Sequence, residues 1–531
     1  MSSQTSPNEF PFEPTSVDSI PQIHQELRKA FSTNNVTKTL EWRTHQLKQL
    51  GYLLQENEAL LEDALTADLG RPKAESQIDE LVATRRDVLN ALSNVKSWSR
   101  PHRVKTDLTW LVTSPKTYHE PKGLVLIIGA WNYPIALVLG PLVGAIAGGN
   151  AAILKLSENA PSTASLLGKL IPQYMDNRHI RVINGGVEQV TALLDLRFDH
   201  IFFTGSTSIG KIVAKKAAEN LTPVTLELGG KCPAIVFDDA DFKVAGRRLI
   251  WAKAVNAGQT CIAPDYILVS KKNEAKLIES LKQAIREFYP AKTITAHPPF
   301  DTAASSGAKP DSINPETLKA SDNQFCKIVN LKQFHRLTNL LRETRGEINT
   351  LDGTSQLDIT SSDVNELKIP LTLVRNVTRD DALMQEEIFG PILPIITYDN
   401  ESEMAEVLRA VSNSEPLAIY VFTQASPNFE FVRQNTKSGQ IIQNDLLIQF
   451  VIPGLPFGGI GQSGMGNYHG YHSFLTFTYE RASANLSPWA DFLFACRYPP
   501  YTSFKSKLFS LIMGPSQISG KAVIVSPPAH L

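Results

Sequence analysis

Cysteine is scarce in this chain, with four in 531 residues. Four thiols cannot frame a chain of that length with disulfides, so a reducing, cytoplasmic setting is expected. Charge of one sign is also missing. Fifty-two basic side chains face 53 acidic ones, a net charge of −1, which removes the electrostatic case for nucleic acid as a partner. The first twenty residues, MSSQTSPNEFPFEPTSVDSI, are polar and acidic. They have neither the basic start and apolar core of a secretory signal nor the arginines of a transit peptide. No segment repeats at a fixed period. One uncharged run stands out, Gly123 to Leu154, but Asn132, Pro134, Pro141 and the Gly148-Gly149-Asn150 break interrupt it. It reads as strand, turn, buried helix and strand rather than as a membrane span. No run after residue 480 is long enough to cross a bilayer.

Hydrophobic residues make up 42% and charged residues 20%, an ordinary globular balance, and the length calls for two or three domains. Residues 1–20 read as a flexible arm. Leu47, Leu50, Leu54, Leu61 and Leu65 recur at helical spacing. Leu81, Val82, Val88, Leu89, Leu92 and Val95 do the same up to Trp98. Residues 107–118 read as extended. Strands (124–128, AAILK, HIRVIN, HIFFTG) then alternate with helices, among them one carrying Ile209, Ile212, Val213 and Ala217 on a common face. A second alternating set begins at 233–237. The rhythm predicts an α/β fold with open, mostly parallel sheets covered by helices. The expected division is a cofactor-binding domain (21–106 and 119–230), a catalytic domain (231–438) with a polar, Pro/Ser-rich surface insertion at 291–322, an oligomerisation arm and active-site segment (107–118 and 439–486), and a tail (487–531).

Cys261, in NAGQTC, follows a Gly-Gln-Thr turn and precedes a strand, a chain reversal where a thiol can be exposed; Cys232, Cys326 and Cys496 lack such a setting. A free cysteine is by itself more often inert filler. As a thiolate, however, it attacks carbonyl carbon, and the resulting alkoxide needs fixed hydrogen-bond donors. Asn132, in the turn GAWNYP, can supply its amide, though the same residue also suits a turn on local grounds. Glu227 ends an apolar strand, between Leu226 and Leu228. There a poorly solvated carboxylate has a raised proton affinity and can act as general base, or it can be a paired core carboxylate. The turn FTGSTSIGK opens a helix, so Gly205, Ser206 and Gly210 can meet a pyrophosphate, although the spacing is not the dinucleotide fingerprint. Lys155 and Glu158 follow a strand and can reach ribose hydroxyls. Glu387 and Phe389, in QEEIFGPILP, can hold a nicotinamide ribose and ring. The Gly-rich stretch 455–470 serves a ligand or a close approach of backbones equally well.

GAWNYP, FTGSTSIG, LELGGK, GQTC, EEIFGP and PFGGIGQSG, in this order, resemble the aldehyde dehydrogenase superfamily over residues 20–510. The resemblance implies Cys261 as nucleophile, Glu227 as base and Asn132 as oxyanion donor. Cofactor contacts fall to Trp131, Lys155, Glu158, Gly205, Ser206, Gly210, Glu387 and Phe389. It also implies NAD as cofactor with NADP tolerated, no metal, and a homodimer built through a small β arm, to which residues 107–118 and the strand near Gly439–Asn444 would contribute. GNYHGYHSFLTFTYER resembles the class 3 and fatty aldehyde branch, which handles long or aromatic apolar aldehydes. Fungal relatives with longer chains include a group that oxidises polyene apocarotenals. Two departures stand out: Leu156 replaces a common Pro, and Gln449 stands where the branch often has His, a place expected to line the substrate funnel. An acylating relative that passes its thioester to CoA or phosphate, and a catalytically inactive structural homologue, are the competing readings. Glu227 argues against the first, and an intact set of Cys261, Glu227 and Asn132 against the second. Finally, residues 487–514 hold seven aromatics, with Phe504, Leu508, Leu511 and Ile512 on one helical face beside Lys505 and Lys507. That suits a membrane interface or a roof over the substrate tunnel.

Overall fold

The computed structural model describes residues 11–289, 324–349 and 361–514. The expected surface insertion at 291–322 and the first ten residues of the expected arm lie outside them. Two compact units emerge, one of residues 1–98 and 120–479, the other of 99–119 and 480–531.

The first unit contains two sheets. In the amino-terminal one, β1 (Leu124–Ile128), β2 (Ala151–Lys155), β3 (Ile180–Ile183), β4 (His200–Thr204) and β5 (Val224–Glu227) run parallel in the order β5-β4-β1-β2-β3. A short strand, Gly464–Met465, adds antiparallel to β5. β1 shows why its run is apolar throughout. Leu124, Leu126 and Ile128 pack into one core, under the helix Ile20–Asn34, while Val125 and Ile127 pack into the other. A strand covered on both faces cannot alternate with polar residues. The uncharged run Gly123–Leu154 is thus β1, a turn, the buried helix Ala136–Gly148 and most of β2. Among the described residues, no helix is long and apolar enough to cross a membrane.

The second sheet is built from β6 (Pro233–Val236), β7 (Tyr266–Ser270), β8 (Thr372–Arg375), β9 (Ile392–Tyr398), β10 (Ala418–Phe422) and β11 (Gln440–Gln443). These parallel strands lie in the order β8-β9-β7-β6-β10-β11, with Glu347–Asn349 antiparallel on β8. Only residues 228–232 separate β5 from β6. The carboxyl edge of the first sheet is therefore wired directly to the amino edge of the second.

Sequence pattern and structure agree where a segment is buried and part where helix faces are concerned. Leu47, Leu50, Leu54, Leu61 and Leu65 are fully buried, but Val82 and Leu89 are exposed. In the helix Thr207–Glu219, Gly210, Val213 and Ala217 face inward, whereas Ile209 and Ile212 face solvent. Residues 107–118 are not uniformly extended: Leu108–Leu111 is a helical turn, and only Lys116 onward forms a strand, Lys116–Pro121. That strand sits in a three-stranded sheet between His102–Arg103 and Thr478–Ser483. The strand expected near Gly439–Asn444 is β11, at the edge of the seven-stranded sheet, not part of the three-stranded one.

Candidate active site

Four turns meet where the two sheets adjoin: 129–135 after β1, 228–232 after β5, 256–265 before β7, and 386–390 before β9. The turn before β7 is conformationally costly. Asn256 and Ala257 hold φ of 51° and Gly258 holds 71°, and non-glycine residues in this region cost on the order of 1–3 kcal/mol each. Packing enforces it: a Cβ on Gly258 would lie 2.4 Å from the Gly390 carbonyl. The reward is a fixed position for Cys261. All four cysteines are free, and only Cys261 is partly exposed; Cys232, Cys326 and Cys496 are buried. The Cys232 thiol donates to the Cys261 carbonyl at 3.4 Å, and so supports the turn from beneath.

Asn132 is buried, and its side-chain amide donates to the Gln259 carbonyl at 3.0 Å. This ties the turn after β1 to the turn bearing Cys261. Tyr133 and Thr260 share a second link, hydroxyl to hydroxyl at 2.7 Å. Glu227 is buried at the end of β5, and neither carboxylate oxygen has a hydrogen-bond partner. Loss of water pushes its pKa well above the ordinary carboxyl value. Unpartnered buried oxygens at a strand end are costly, and they suit a group whose partner is a substrate or a water. The Glu387 carboxylate sits against Gly229, where a Cβ would come within 2.2 Å of it. Burial and the nearby Asp265 push its pKa up to about 8. Burial, then the Glu387 and Glu227 carboxylates, push the Cys261 thiol up to about 12. The thiol is therefore protonated in the free protein at neutral pH, and a cation brought beside it would promote ionisation.

The chain leaves β1 toward β2 and β3, then returns to the other side of β1 to form β4. The carboxyl ends of β1 and β4 thus flank a topological switch point, the place where such sheets bind dinucleotides. Residues there fit one. Lys155, at the end of β2, is buried and donates to Glu158 at 2.7 Å. Thr204, at the end of β4, has a buried hydroxyl without a partner. Gly205 follows, and Ser206 caps the helix Thr207–Glu219 at an exposed amino end. Trp131 and Phe389, from turns of different sheets, meet edge to face at 5.4 Å. Gly210 does not share this opening. It is buried, and a Cβ there would strike Leu228 at 2.7 Å. Close packing of the helix against Leu228 thus calls for glycine here. Leu156 in place of Pro is accommodated because its N–H donates to the Ile183 carbonyl at 3.3 Å, a bond proline cannot make. The Gly-rich stretch 455–470 is a close approach of backbones. Gly464 pairs with Glu227, and a Cβ on it would lie 2.0 Å from the Leu226 carbonyl.

Several residues that shape the site carry no local signal. Gln259 is fully buried and satisfied on both ends, donating to Asn256 and Lys327 carbonyls and accepting from the Val329 N–H, each at 3.0 Å. Asp265 pairs with Lys231 and accepts from the Ile388 N–H at 2.9 Å, which holds the Glu387 turn. Arg336 grips the same turn by the Glu387 and Ile388 carbonyls. The GQTC and LELGGK segments contain Gln259 and Lys231, but their partners are remote in sequence. Gln449 is buried. Its amide donates to the Tyr420 hydroxyl at 3.0 Å, and Tyr420 in turn donates to the Ile262 carbonyl at 2.5 Å.

A partly exposed thiol, a buried amide donor and a desolvated carboxylate beside a switch point of the kind that takes dinucleotides suit an oxidoreductase that attacks a carbonyl. The chain belongs to the aldehyde dehydrogenase family, whose model matches residues 15–482. It is an oxidoreductase acting on aldehydes, and the family uses NAD or NADP. It is 40% identical to aldehyde dehydrogenase family 3 member H1 of Arabidopsis thaliana, over 92% of this chain and 93% of the relative. It is 39% identical to family 3 member B1 of Homo sapiens, over 94% and 98%. A solved structure described as the substrate-bound state of Staphylococcus aureus AldH superposes with a TM-score of 0.80 at 38% identity, covering 92% of this chain and 98% of that one.

Proposed function

We propose that the chain oxidises an apolar, long-chain aldehyde, of the fatty or polyene apocarotenal type, to its carboxylic acid. Cys261 attacks the aldehyde carbon, and the thiol proton passes to a solvent water as the C–S bond forms. The Asn132 amide and the Cys261 N–H stabilise the oxyanion. Lys155, Glu158, Gly205, Ser206, Trp131, Glu387 and Phe389 would hold a nicotinamide cofactor, which would supply the hydride acceptor. The carbonyl carbon is thereby oxidised to a thioester on Cys261. Glu227 then takes a proton from water, hydroxide equivalent adds to the thioester, and the thiol leaves as the acid forms. The observation that carries this reading is the pair of unpartnered, buried Glu227 oxygens near a partly exposed Cys261. Glu227 favours hydrolysis over transfer to CoA.

The second unit supports the apolar choice. Trp489, Phe492, Tyr501, Phe504 and Leu511 are each at least 67% exposed, an apolar surface of the kind that rests on a membrane interface where such aldehydes dissolve. NAD is the preferred cofactor, because the Glu158 carboxylate repels a ribose 2′-phosphate. The working form is a homodimer and the location cytoplasmic, on the face of an intracellular membrane. A kinetic panel from short aliphatic to long polyene aldehydes, with NAD and with NADP, tests the assignment. Rising kcat/KM with chain length supports it, and a preference for short aldehydes overturns it. In parallel, the full chain should float with liposomes and a chain truncated after Leu486 should stay in solution; equal behaviour removes the membrane reading.

A further inference from the structure

Arg71 is fully buried, and so is its ion-pair partner Glu80. A buried pair is weak as a source of stability, because desolvating both charges offsets their attraction. This one is imperfect as well, since the Arg71 Nε has no partner. Its geometry points elsewhere. One Arg71 Nη donates to Glu80, and the other donates to the main-chain carbonyl of Asn132 at 2.5 Å. Its guanidinium also lies over the ring of Tyr133, 4.7 Å from the centroid. The far oxygen of Glu80 accepts from the N–H groups of Ile135 and Ala136, at 2.7 and 3.0 Å. The pair therefore grips the turn at Asn132 and again three and four residues later.

The Asn132 carbonyl has a second donor. The Asn256 amide reaches it at 3.0 Å and also reaches the Gln259 carbonyl at 3.1 Å, the acceptor of the Asn132 side chain. Asn256 is held in turn by its own N–H, which donates to Glu75 at 3.0 Å. Main chain and side chain of Asn132 are thus both fixed relative to the turn that ends in Cys261.

Building on the assignment of Asn132 as oxyanion donor, we propose that Arg71 is a positioning residue: paired with Glu80, it sets the Asn132 amide against the Cys261 thiol by holding the Asn132 carbonyl. It touches neither substrate nor cofactor. Its effect falls on the step in which charge develops on the substrate oxygen, and not on cofactor affinity.

The test is a double-mutant cycle on the full chain, read by steady-state kinetics. Asn132→Ala should lower kcat about 100-fold or more. Arg71→Ala should lower kcat at least about 30-fold while changing the KM for NAD less than about threefold, and guanidinium ion should restore at least roughly a tenth of the loss. In the double variant the losses should not multiply, and guanidinium should restore nothing. Multiplied losses, or a KM change that matches the kcat change, would overturn the role of Arg71 while leaving Asn132 intact. A full-rate Asn132→Ala would overturn the oxyanion assignment and this proposal with it. If Arg71→Ala does not melt cooperatively, Asn256→Gly decides. Glycine suits the φ of 51° at this position, so the backbone is kept while the amide's bonds to the Asn132 and Gln259 carbonyls are lost. A kcat about five- to tenfold lower at unchanged KM for NAD supports the proposal, and wild-type kcat contradicts it.

Discussion

The thiol site and the proposed dinucleotide site lie in the same unit but are held very differently. Around Cys261 the chain is over-determined. Asn132, Asn256 and Gln259 are buried and cross-bonded, Asn256 and Ala257 are strained, and two carboxylates are desolvated. Around Lys155 and Ser206 the chain is open. The cap bond from the Ile209 N–H to the Ser206 hydroxyl is exposed and long at 3.5 Å, and Glu158 is an exposed carboxylate bonded to Lys155. Chemistry on a developing oxyanion needs donors that do not reorganise. A cofactor that must enter and leave needs a surface that can tolerate both. Substitutions in the first region should therefore lower turnover, and those in the second should adjust preference.

The largest effect is expected for Cys261→Ala. The other three thiols are buried, so none can replace it, and NADH formation should fall at least about a thousandfold, to background. Retained activity would place the nucleophile elsewhere. A smaller effect is expected in the crevice. Glu158→Gln should raise the NADP-to-NAD ratio of kcat/KM about three- to tenfold, with kcat on NAD nearly unchanged. An unchanged ratio would show that this carboxylate does not face the ribose.

The smallest effect concerns stability. Folded Glu227 binds its proton more tightly than the unfolded chain does, because burial raises its pKa. Its contribution to stability is therefore full below the ordinary carboxyl pKa, about 4.3, and is lost as pH rises toward the raised value. The Tm difference between Glu227→Gln and the native chain should therefore favour the variant more at about pH 8 than at about pH 5. Thermal melts at the two pH values check the sign, and equal differences at both would mean that Glu227 is not desolvated as described.

The same contrast explains what could be read from the sequence. Lys155, Glu158 and Ser206 stand at strand ends and a helix cap, features set by a few consecutive residues, so their placement was legible. So were β1 and β2, whose continuous apolar runs allow little else. The supports of the thiol site were not. Arg71 and Glu80 reach the turn after β1 across more than fifty residues, and Gln259 reaches Lys327 and Val329 across nearly seventy. Such partners are chosen by packing and leave no spacing to find. Gly210 is ambiguous in sequence for a related reason: a glycine opening a helix after a strand suits a phosphate or a tight packing contact, and the Leu228 it meets is visible only in the fold. Ile209 and Ile212 share the helical period of Val213, yet the sheet covers only the Gly210 side.

The central claim is that Cys261 carries a thioester that Glu227 resolves. Rapid mixing of Glu227→Gln with NAD and a long-chain aldehyde tests it most directly, followed by acid quench and mass analysis of the Cys261 peptide. One NADH per active site should appear in a burst, with steady turnover lowered about 100-fold or more and the acyl mass on Cys261. A variant that binds both ligands normally but shows no burst and no acylated Cys261 would contradict it.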